Sequence, residues 1–226
     1  MMVAIDWYAW HRLYNDPTSK RAQRLAQMQE VVLQALQGLP DGPIDLLSLC
    51  AGQGREIVGA LQRRPRPGDV NVRMIELDPR NAEIADRLVR EAGAGRVETV
   101  VDDAGLRRLY AGAIPVDLLL LCGVFGNLVL SDIERCAAFA ASAVRPDGLV
   151  VWTRHRGAPD CVPAIRSWFT ANGFVEEYVN PETDPVAVVL NRYAGPPRPL
   201  APQERIFTFV TGVVPPETPP KLASTP

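Results

Sequence analysis

The chain has 226 residues, of which 47% are hydrophobic, and its formal net charge at pH 7 is −2. This length fits one domain with a full hydrophobic core. The composition argues against disorder, and the balanced charge lacks the basic footprint of a protein that binds nucleic acid. The longest apolar stretch, 118–130, is broken by glycines and by Asn127 and is too short to cross a bilayer. We therefore expect neither nucleic acid nor a membrane as a partner.

The four cysteines indicate the compartment. They are Cys50, Cys122, Cys136 and Cys161. They contain no C-x-x-C pair and lie in or beside apolar segments, so free thiols in a reducing compartment explain them better than disulfides or a zinc site. The N-terminus has Asp6 where a secretory signal would have an apolar core. The sequence therefore predicts a soluble cytoplasmic protein without a bound metal ion.

Strand-like and helix-like stretches alternate from residue 44 onwards. The predicted strands cover 44–49, 70–77, 96–101, 115–122, 148–155, 174–180 and 186–194. The predicted helices cover 55–64, 79–93, 131–144 and 161–173. Ser131 and Glu134 form a capping-box pattern, so Ser131 is the expected N-cap of the third helix. The last two strands are joined by a short turn, as in a hairpin. This order predicts an α/β fold: a doubly wound, mostly parallel seven-stranded sheet with helices on both faces and an antiparallel C-terminal hairpin.

The two ends of the chain differ from this regular core. In the N-terminal helical segment, 1–40, Trp7, Trp10 and Tyr14 share one face at helical spacing. That face either packs on the core or forms a lid over a ligand. Residues 41–194 form the sheet domain, and 195–226 form a proline-rich extension. Within the extension, the stretch "ERIFTFVTGV" could add a short strand or loop to the domain, and the end from Pro215 is expected to be disordered.

The loop "CAGQG", which follows the first predicted strand, is the expected binding site of a nucleotide-like ligand. A P-loop would end in Gly-Lys-Ser/Thr, whereas Gly54 is followed by Arg55 and Glu56. A dinucleotide loop would have a third glycine where Ile57 stands, which disfavours NAD without excluding it. S-adenosylmethionine has no phosphate. It needs small loop residues, a carboxylate after the second strand for its ribose, and a polar residue after the third strand for its adenine.

Carboxylates follow two of the predicted strands in the order that S-adenosylmethionine would need. Glu76 and Asp78 lie at the end of the second strand, and Asp102 and Asp103 follow the third. A carboxylate accepts two charge-assisted hydrogen bonds from the vicinal hydroxyls of a ribose, which orients the sugar. Asp78 could equally be the N-cap of the helix that starts at Pro79. Of the aspartate pair, we favour Asp103 as the binding residue.

Five segments in register carry a resemblance to a known family. They are "LSLCAGQG", "MIELDP", "VDDAG", "DLLLLCGVFGNL" and "RPDGLVVWTR". Their order and spacing resemble those of the class I, Rossmann-like S-adenosylmethionine-dependent methyltransferases, over most of the chain. The resemblance implies S-adenosyl-L-methionine as the cofactor and a small-molecule type of enzyme. Two positions depart from the pattern, because the family usually has an acid at Ser48 and a glycine at Cys50. Cys50 fits the loop if its backbone needs no positive φ.

The resemblance also implies roles for individual residues. The loop residues that would face the methionine portion are Cys50, Ala51, Gly52, Gln53 and Gly54. Glu76 would hold the ribose, with Leu77 and Asp78 beside it, and Asp103 and Ala104 would meet the adenine. Gly123 would complete the cofactor site after the fourth strand. Phe125 and Asn127 would border the substrate, although Phe125 could instead be a core residue. In the lid reading, Trp10 and Tyr14 would face the substrate, and Tyr14 would contact the sulfonium as a catalytic residue.

The segment "TRHR" ends the fifth predicted strand at the edge where open α/β sheets bind ligands. Arg154 and Arg156 could bind an anionic substrate, or they could form structural salt bridges. His155 is the candidate general base, which an oxygen acceptor would require and a nitrogen or sulfur acceptor would not.

The sequence thus predicts methyl transfer from S-adenosylmethionine to a small-molecule acceptor. It contains no evident substrate domain and no D/N-P-P-Y motif of nucleic-acid amino methylation after the fourth strand. Two alternatives stay open. One is an enzyme of the same fold that uses the cofactor for a cyclisation or a decarboxylation, and the other is a non-catalytic module that binds the cofactor. The expected oligomeric state is a monomer or a homodimer.

Overall fold

The computed structural model describes residues 5–210, and one seven-stranded sheet runs through them. Its strands are β1 (Ile44–Leu49), β2 (Val70–Glu76), β3 (Val97–Val101), β4 (Val116–Leu121), β5 (Val144–His155), β6 (Phe174–Val179) and β7 (Val186–Tyr193). Their spatial order is β3-β2-β1-β4-β5-β7-β6. The first five strands are parallel, whereas β7 is antiparallel to both β5 and β6. The predicted fold class is confirmed.

Helices cover both faces of this sheet, which explains why its central strands are apolar along their whole length. The helices are α1 (Trp7–Trp10), α2 (Lys20–Gln37), α3 (Arg55–Leu61), α4 (Pro79–Glu91), α5 (Leu130–Ala143) and α6 (Val162–Ala171). Side chains of α2, α3 and α4 form one core with the sheet face that carries Leu46 and Leu118. Side chains of α5 and α6 form a second core with the face that carries Leu47 and Leu119. Neighbouring residues alternate between the two cores with the two-residue period of a β-strand.

The longest helix of the predicted N-terminal lid segment, α2, is a core helix. The side chains of Met28, Val32 and Leu36 are buried along one side of α2. Ser19 is the N-cap of this helix, and its hydroxyl oxygen accepts a hydrogen bond from the backbone N–H of Ala22 (3.1 Å). The described residues before α2 do not belong to this helix and lie at the edge of the sheet. Between residues 5 and 210, no helix combines the length and the apolar character that a membrane crossing requires.

The start of α5 differs from the prediction. Ser131 is not the N-cap, because the helix already begins at Leu130 and Val129 stands at the capping position. A tertiary contact anchors this helix end instead. The buried carboxylate of Asp132 accepts a hydrogen bond from the backbone N–H of Thr208 (2.7 Å). The local capping-box pattern was therefore misleading here.

β5 begins earlier than predicted, at Val144 instead of residue 148. Its added residues include Asp147, which has a positive φ of 64°. The pairing of β4 with β5 also shifts register between Val116 and Leu118. An irregular strand of this kind lacks a simple alternation of apolar and polar residues, so the sequence pattern underestimates its length.

The C-terminal segment, which we define as residues 195–210, lies on the sheet domain as a loop. Its residues Ile206 and Phe207 are buried in the core formed with α5 and α6. The backbone N–H of Ile206 donates to the carbonyl of Gly105 (2.8 Å), and that of Val210 donates to the carbonyl of Asn127 (2.8 Å). The disorder predicted from residue 215 concerns residues outside the described range.

Candidate active site

One pocket lies at the carboxyl ends of the parallel strands, where open α/β sheets bind ligands. Its floor is formed by Asp103 and Ala104 after β3, Glu76 and Leu77 at the end of β2, Cys50, Ala51, Gly52 and Gln53 after β1, and Cys122 and Gly123 after β4. The strand order places these groups in a row across the sheet edge. All the predicted cofactor residues except Gly54 and Asp78 line this pocket.

The loop between β1 and α3 turns sharply because three of its residues have left-handed backbone conformations. The φ angle is 52° at Cys50, 55° at Gly52 and 63° at Gly54. Glycines adopt this region freely, but a side chain there costs roughly 1–2 kcal/mol. Cys50 was expected to fit the loop only if its backbone needed no positive φ. Its φ is positive, so the backbone is strained at this residue. The backbone N–H of Ala51, which donates to the carbonyl of Ile75 (3.1 Å), helps to hold the strained turn.

The two glycines of the loop have different functions. A side chain at Gly52 would collide with the imidazole of His11, so the glycine leaves the space that this ring occupies. A side chain at Gly54 would press on Val89 and Met74, at 3.2 and 3.3 Å. Gly54 therefore allows α3 to start close to the sheet, and it lies outside the pocket lining.

Glu76 is a buried acid in the middle of the row. One of its carboxylate oxygens accepts a hydrogen bond from the backbone N–H of Gly52 (2.8 Å), and the other accepts one from the backbone N–H of Asp78 (2.9 Å). Burial raises the pKa of this carboxyl, and the two backbone hydrogen bonds oppose that shift. A carboxylate has about four lone-pair sites, so roughly two remain for hydroxyl groups of a ligand.

Asp78 has the capping function that the sequence left open. Its carboxylate accepts a hydrogen bond from the backbone N–H of Arg80 (3.0 Å) at the start of α4 and forms an ion pair with the Arg80 side chain (2.6 Å). The Asp78 side chain lies outside the pocket lining. Asp78 therefore caps α4 and lies outside the pocket, away from the predicted cofactor contacts.

The two aspartates after β3 point in different directions. Asp102 forms an ion pair with Arg108 (2.7 Å) and lies outside the pocket lining. Asp103 lines the pocket, where one carboxylate oxygen accepts a hydrogen bond from the backbone N–H of Gly105 (2.8 Å). Its other oxygen accepts one from Arg205 of the C-terminal segment (2.7 Å). Asp103 is thus the member of the pair that faces the pocket, and Arg205 anchors the C-terminal segment to it.

Aromatic side chains cover the pocket. Trp10 and Tyr14 both line it, and their ring centroids are 5.5 Å apart. Trp7 contacts Phe209 edge to face, with ring centroids at 6.4 Å. The N-terminal residues and the C-terminal segment therefore meet above the loop and form a joint cover.

Two predicted substrate residues after β4 lie outside the pocket lining. Phe125 is fully buried, with its ring centroid 5.8 Å from that of Trp152 and 6.4 Å from that of Phe169, so it is a core residue. Asn127 donates a side-chain hydrogen bond to the carbonyl of Gly123 (3.0 Å). Both residues thus lie outside the pocket, away from the place that the sequence predicted for them.

The predicted residues at the end of β5 also lie outside the pocket lining, because β4 separates β5 from the glycine loop. Arg154 donates to the carbonyl of Phe125 (2.6 Å), and Arg156 donates to the carbonyl of Asn180 (3.3 Å). Nδ1 of His155 accepts a hydrogen bond from a backbone N–H two residues further on (3.2 Å). The structure therefore does not bring Arg154, His155 and Arg156 together with the predicted cofactor residues.

A second histidine lies in the pocket instead. His11 lines it above Gly52, and its Nδ1 is 2.7 Å from the carbonyl oxygen of Trp7. That contact requires Nδ1 to carry the proton, so Nε2 is a free acceptor. Burial lowers the pKa of His11, which keeps it neutral at pH 7. The sequence signal for this residue is its spacing of four from Trp7, which places both on one helical face.

Arg24, Glu56 and Tyr14 form a polar cluster at the end of the pocket near Cys122. Arg24 donates a hydrogen bond to the hydroxyl oxygen of Tyr14 (3.1 Å). The side chain of Glu56 is buried, and burial raises its pKa to about 7, while the charge of Arg24 opposes that shift. Burial also raises the pKa of the Cys122 thiol, and the nearby charge of Glu56 adds to this effect. We call this group the Arg24–Glu56–Tyr14 cluster.

The ionisation of Glu56 should make the free protein less stable as the pH rises. The pKa of this carboxyl is about 7 in the folded protein and 4.5 ordinarily, so the folded state binds more protons than the unfolded state between these two values. The free energy of unfolding should therefore fall by about 2–3 kcal/mol over this range and become level above pH 7. Denaturant unfolding at a series of pH values from 4.5 to 8 measures this change in the free energy of unfolding.

The Glu56→Gln variant should not show this fall in the free energy of unfolding with rising pH. The Glu30→Gln variant, changed at an exposed position of α2, should show it as wild type does. Identical pH profiles for wild type and Glu56→Gln would contradict the assignment of a raised pKa to Glu56.

No model of a known protein family and no curated protein matches the chain. Its fold is nevertheless similar to those of solved structures. Magnesium protoporphyrin IX methyltransferase (ChlM) from Synechocystis PCC 6803, with bound SAM, is 13% identical with a TM-score of 0.62, and the match covers 85% of this chain and 100% of that one. An O-methyltransferase family protein from Burkholderia thailandensis is 15% identical with a TM-score of 0.59, covering 85% of this chain and 65% of that one.

The CurJ carbon methyltransferase is 13% identical with a TM-score of 0.60. That match covers 76% of this chain and 54% of CurJ, so the chain spans about half of that protein's length. At these identities the likeness concerns the fold. The chain therefore has the fold of the class I S-adenosylmethionine-dependent methyltransferases.

Proposed function

We propose that the chain binds S-adenosylmethionine in this pocket and transfers its methyl group to a small-molecule acceptor. The observation that carries the proposal is Glu76, a buried carboxylate beside the glycine loop that keeps acceptor positions for two ribose hydroxyls. A ligand with a pyrophosphate would bring further negative charge next to Glu76 and Glu56. Like charges in a buried site repel strongly, which disfavours NAD and nucleotides.

The neighbouring residues suit the rest of the cofactor. Leu77 is 65% exposed and offers apolar surface to an adenine ring beside Ala104. Asp103, next to Ala104, offers a carboxylate to the adenine amino group. The loop from Cys50 to Gln53 lines the pocket and would face the methionine portion, and a side chain at Gly52 would collide with the imidazole of His11.

The cover of the pocket favours a small acceptor over a macromolecule. Trp7, Trp10, Phe207 and Phe209 line it from the N-terminal and C-terminal sides. A covered, aromatic-walled site suits a compact substrate and excludes water from the reacting atoms. The acceptor's lone pair would attack the methyl carbon in line with the sulfur. The electrons of the breaking bond go to the sulfur, which leaves S-adenosylhomocysteine as the product.

For an oxygen acceptor, His11 is the candidate general base in place of His155. Nε2 of His11 is a free acceptor in the pocket, whereas His155 lies outside the pocket lining. His11→Gln should lower kcat by roughly 10²–10⁴-fold, and His155→Gln should leave kcat nearly unchanged. Steady-state kinetics on both variants decides between them. A large loss in His155→Gln alone would contradict the assignment.

Incubation with S-adenosylmethionine labelled in its methyl group, together with a panel of acceptors, tests the proposed activity. We expect S-adenosylhomocysteine and labelled acceptor to form in equal amounts. Cyclisation or decarboxylation would consume the cofactor without labelling an acceptor. A non-catalytic module would bind the cofactor and leave it intact, and either result would overturn the proposal.

A further inference from the structure

A second cleft lies beside the proposed cofactor pocket, between the N-terminal residues 8–15 and the helices α2, α3 and α4. Its volume of about 720 Å³ is in the range of sites that hold small molecules. His11, Gln53 and Arg55 line both cavities, so the two share a wall. There is therefore room for two ligands side by side, one in each cavity.

The cleft is positively charged. Among the described residues that line it none is an aspartate or a glutamate, whereas four are arginines: Arg12, Arg55, Arg63 and Arg87. Arg63 forms an ion pair with Glu30 (2.7 Å). Arg87 forms a longer one with Glu91 (3.4 Å). Both pairs are exposed to solvent, where ion pairs are weak, so the cleft keeps an excess of positive charge at Arg12 and Arg55.

Arg55 is a partly buried cation whose described partners are all neutral. Its Nε and Nη2 donate to the side-chain oxygen of Gln53 (2.9 and 2.8 Å), and Nη2 also donates to that of Asn15 (3.0 Å). Its Nη1 donates to none of the residues from 5 to 210. Burial lowers the pKa of Arg55, because no acidic group offsets the lost hydration of its charge. An anion in the cleft would provide that negative charge.

Arg12 lies close to Arg55 because both are neighbours of Asn15. Residues His11–Asn15 form a 3₁₀ helix, in which side chains three positions apart lie one above the other. The side chain of Arg12 is therefore on the same face as that of Asn15, whose oxygen accepts the hydrogen bond from Arg55. Arg12 is exposed and forms no ion pair within the described part of the chain. The two arginines thus present their donors to the same part of the cleft.

We propose that this cleft is a second ligand site, which takes a small molecule with a dianionic group, either a phosphate monoester or a dicarboxylate. Arg12 and Arg55 bind the dianion, because a guanidinium fork matches the paired oxygens of phosphates and carboxylates. Gln29 and Gln62 line the same cleft and offer amide hydrogen bonds to the rest of the ligand. The inference goes beyond the proposed function and does not depend on it, since none of these contacts involves the cofactor.

Calorimetric titration of the free protein with inorganic phosphate and with malonate tests the site. A background of about 0.1 M sodium chloride screens exposed charges that are more than about 10 Å apart. We expect wild type to bind at least one of the two dianions with a Kd of roughly 1 mM or lower, and acetate, a monoanion, to bind much more weakly. Arg12→Gln and Arg55→Gln should each weaken the binding of the dianion by roughly 10-fold.

Arg205→Gln is the matched control, because Arg205 lines the cofactor pocket and not the cleft. This variant loses the same charge and should bind the dianion as wild type does. Tighter binding of phosphate would assign the site to a phosphate monoester, and tighter binding of malonate would assign it to a dicarboxylate.

Three results would overturn the inference. They are no binding of either dianion at about 20 mM, wild-type affinity in Arg12→Gln or Arg55→Gln, and an equal loss of affinity in Arg205→Gln. Circular dichroism checks that each variant is folded. Arg12→Gln, an exposed change outside the lining of the cofactor pocket, decides the matter if Arg55→Gln is not folded.

Discussion

Replacement of Glu76 by glutamine should weaken the binding of S-adenosylhomocysteine by roughly 100-fold. The carboxylate would accept a hydrogen bond from each of two ribose hydroxyls, and a hydrogen bond to a charged group contributes about 1.5–3 kcal/mol. Glutamine has one acceptor oxygen, and its NH2 group would turn donor hydrogens towards the backbone N–H of either Gly52 or Asp78. Calorimetric titration measures the loss.

The control for Glu76 is Asp102→Asn, a neutralised acid on the neighbouring strand end that lies outside the pocket lining. It should bind S-adenosylhomocysteine as wild type does. Because Glu76 also holds the glycine loop, the unfolding midpoint of Glu76→Gln must be measured alongside. Equal affinities for Glu76→Gln and Asp102→Asn would show that the acid does not hold the ribose.

Phe207→Ala should destabilise the protein by about 3 kcal/mol and also weaken cofactor binding. Phe207 is 1% exposed, belongs to the core with α5 and α6, and lines the pocket. Truncation of a buried phenylalanine removes its transfer free energy and leaves a cavity, which together cost about 3–5 kcal/mol. The loss would also release the C-terminal segment that Arg205 attaches to Asp103. Denaturant unfolding and titration with S-adenosylhomocysteine measure the two effects.

Phe209→Ala is the matched control for Phe207→Ala. Phe209 is only partly buried and contacts Trp7 at the cover of the pocket, so its truncation should cost much less stability. If Phe207→Ala unfolds at the same denaturant concentration as wild type, the C-terminal segment is not part of the folded core.

Much of the fold follows from the sequence because the central strands are apolar on both faces and turns separate them. The predicted first strand, 44–49, coincides with β1. The errors arise where a tertiary contact overrides the local pattern. Asp132, held by Thr208, replaces the expected cap at Ser131, and the irregular pairing of β5 hides its true start.

The floor of the site was predictable for a geometric reason. Gly52, Glu76 and Asp103 each follow a parallel strand, and the carboxyl ends of parallel strands meet at one sheet edge. His155 also ends such a strand, but the sequence does not show how far along the edge β5 lies. Arg24 and Glu56 reach the pocket only through the packing of helices, which leaves no local signal, whereas the spacing of His11 from Trp7 is a local one.

Cys50 and Ser48 depart from the sequence pattern of the methyltransferases that the chain resembles, and the structure shows the conformation of the first and the burial of the second. Cys50 adopts a positive φ of 52°, so the loop keeps a glycine-like conformation without a glycine. Ser48 is buried and uncharged where the family usually has an acid.

A calorimetric titration of the wild-type chain with S-adenosylhomocysteine, repeated with NAD, tests the central claim most directly. The account predicts that one S-adenosylhomocysteine binds per chain and that NAD produces no binding heat. Absence of binding by S-adenosylhomocysteine, or tighter binding by NAD, would contradict the assignment of this pocket to a phosphate-free cofactor.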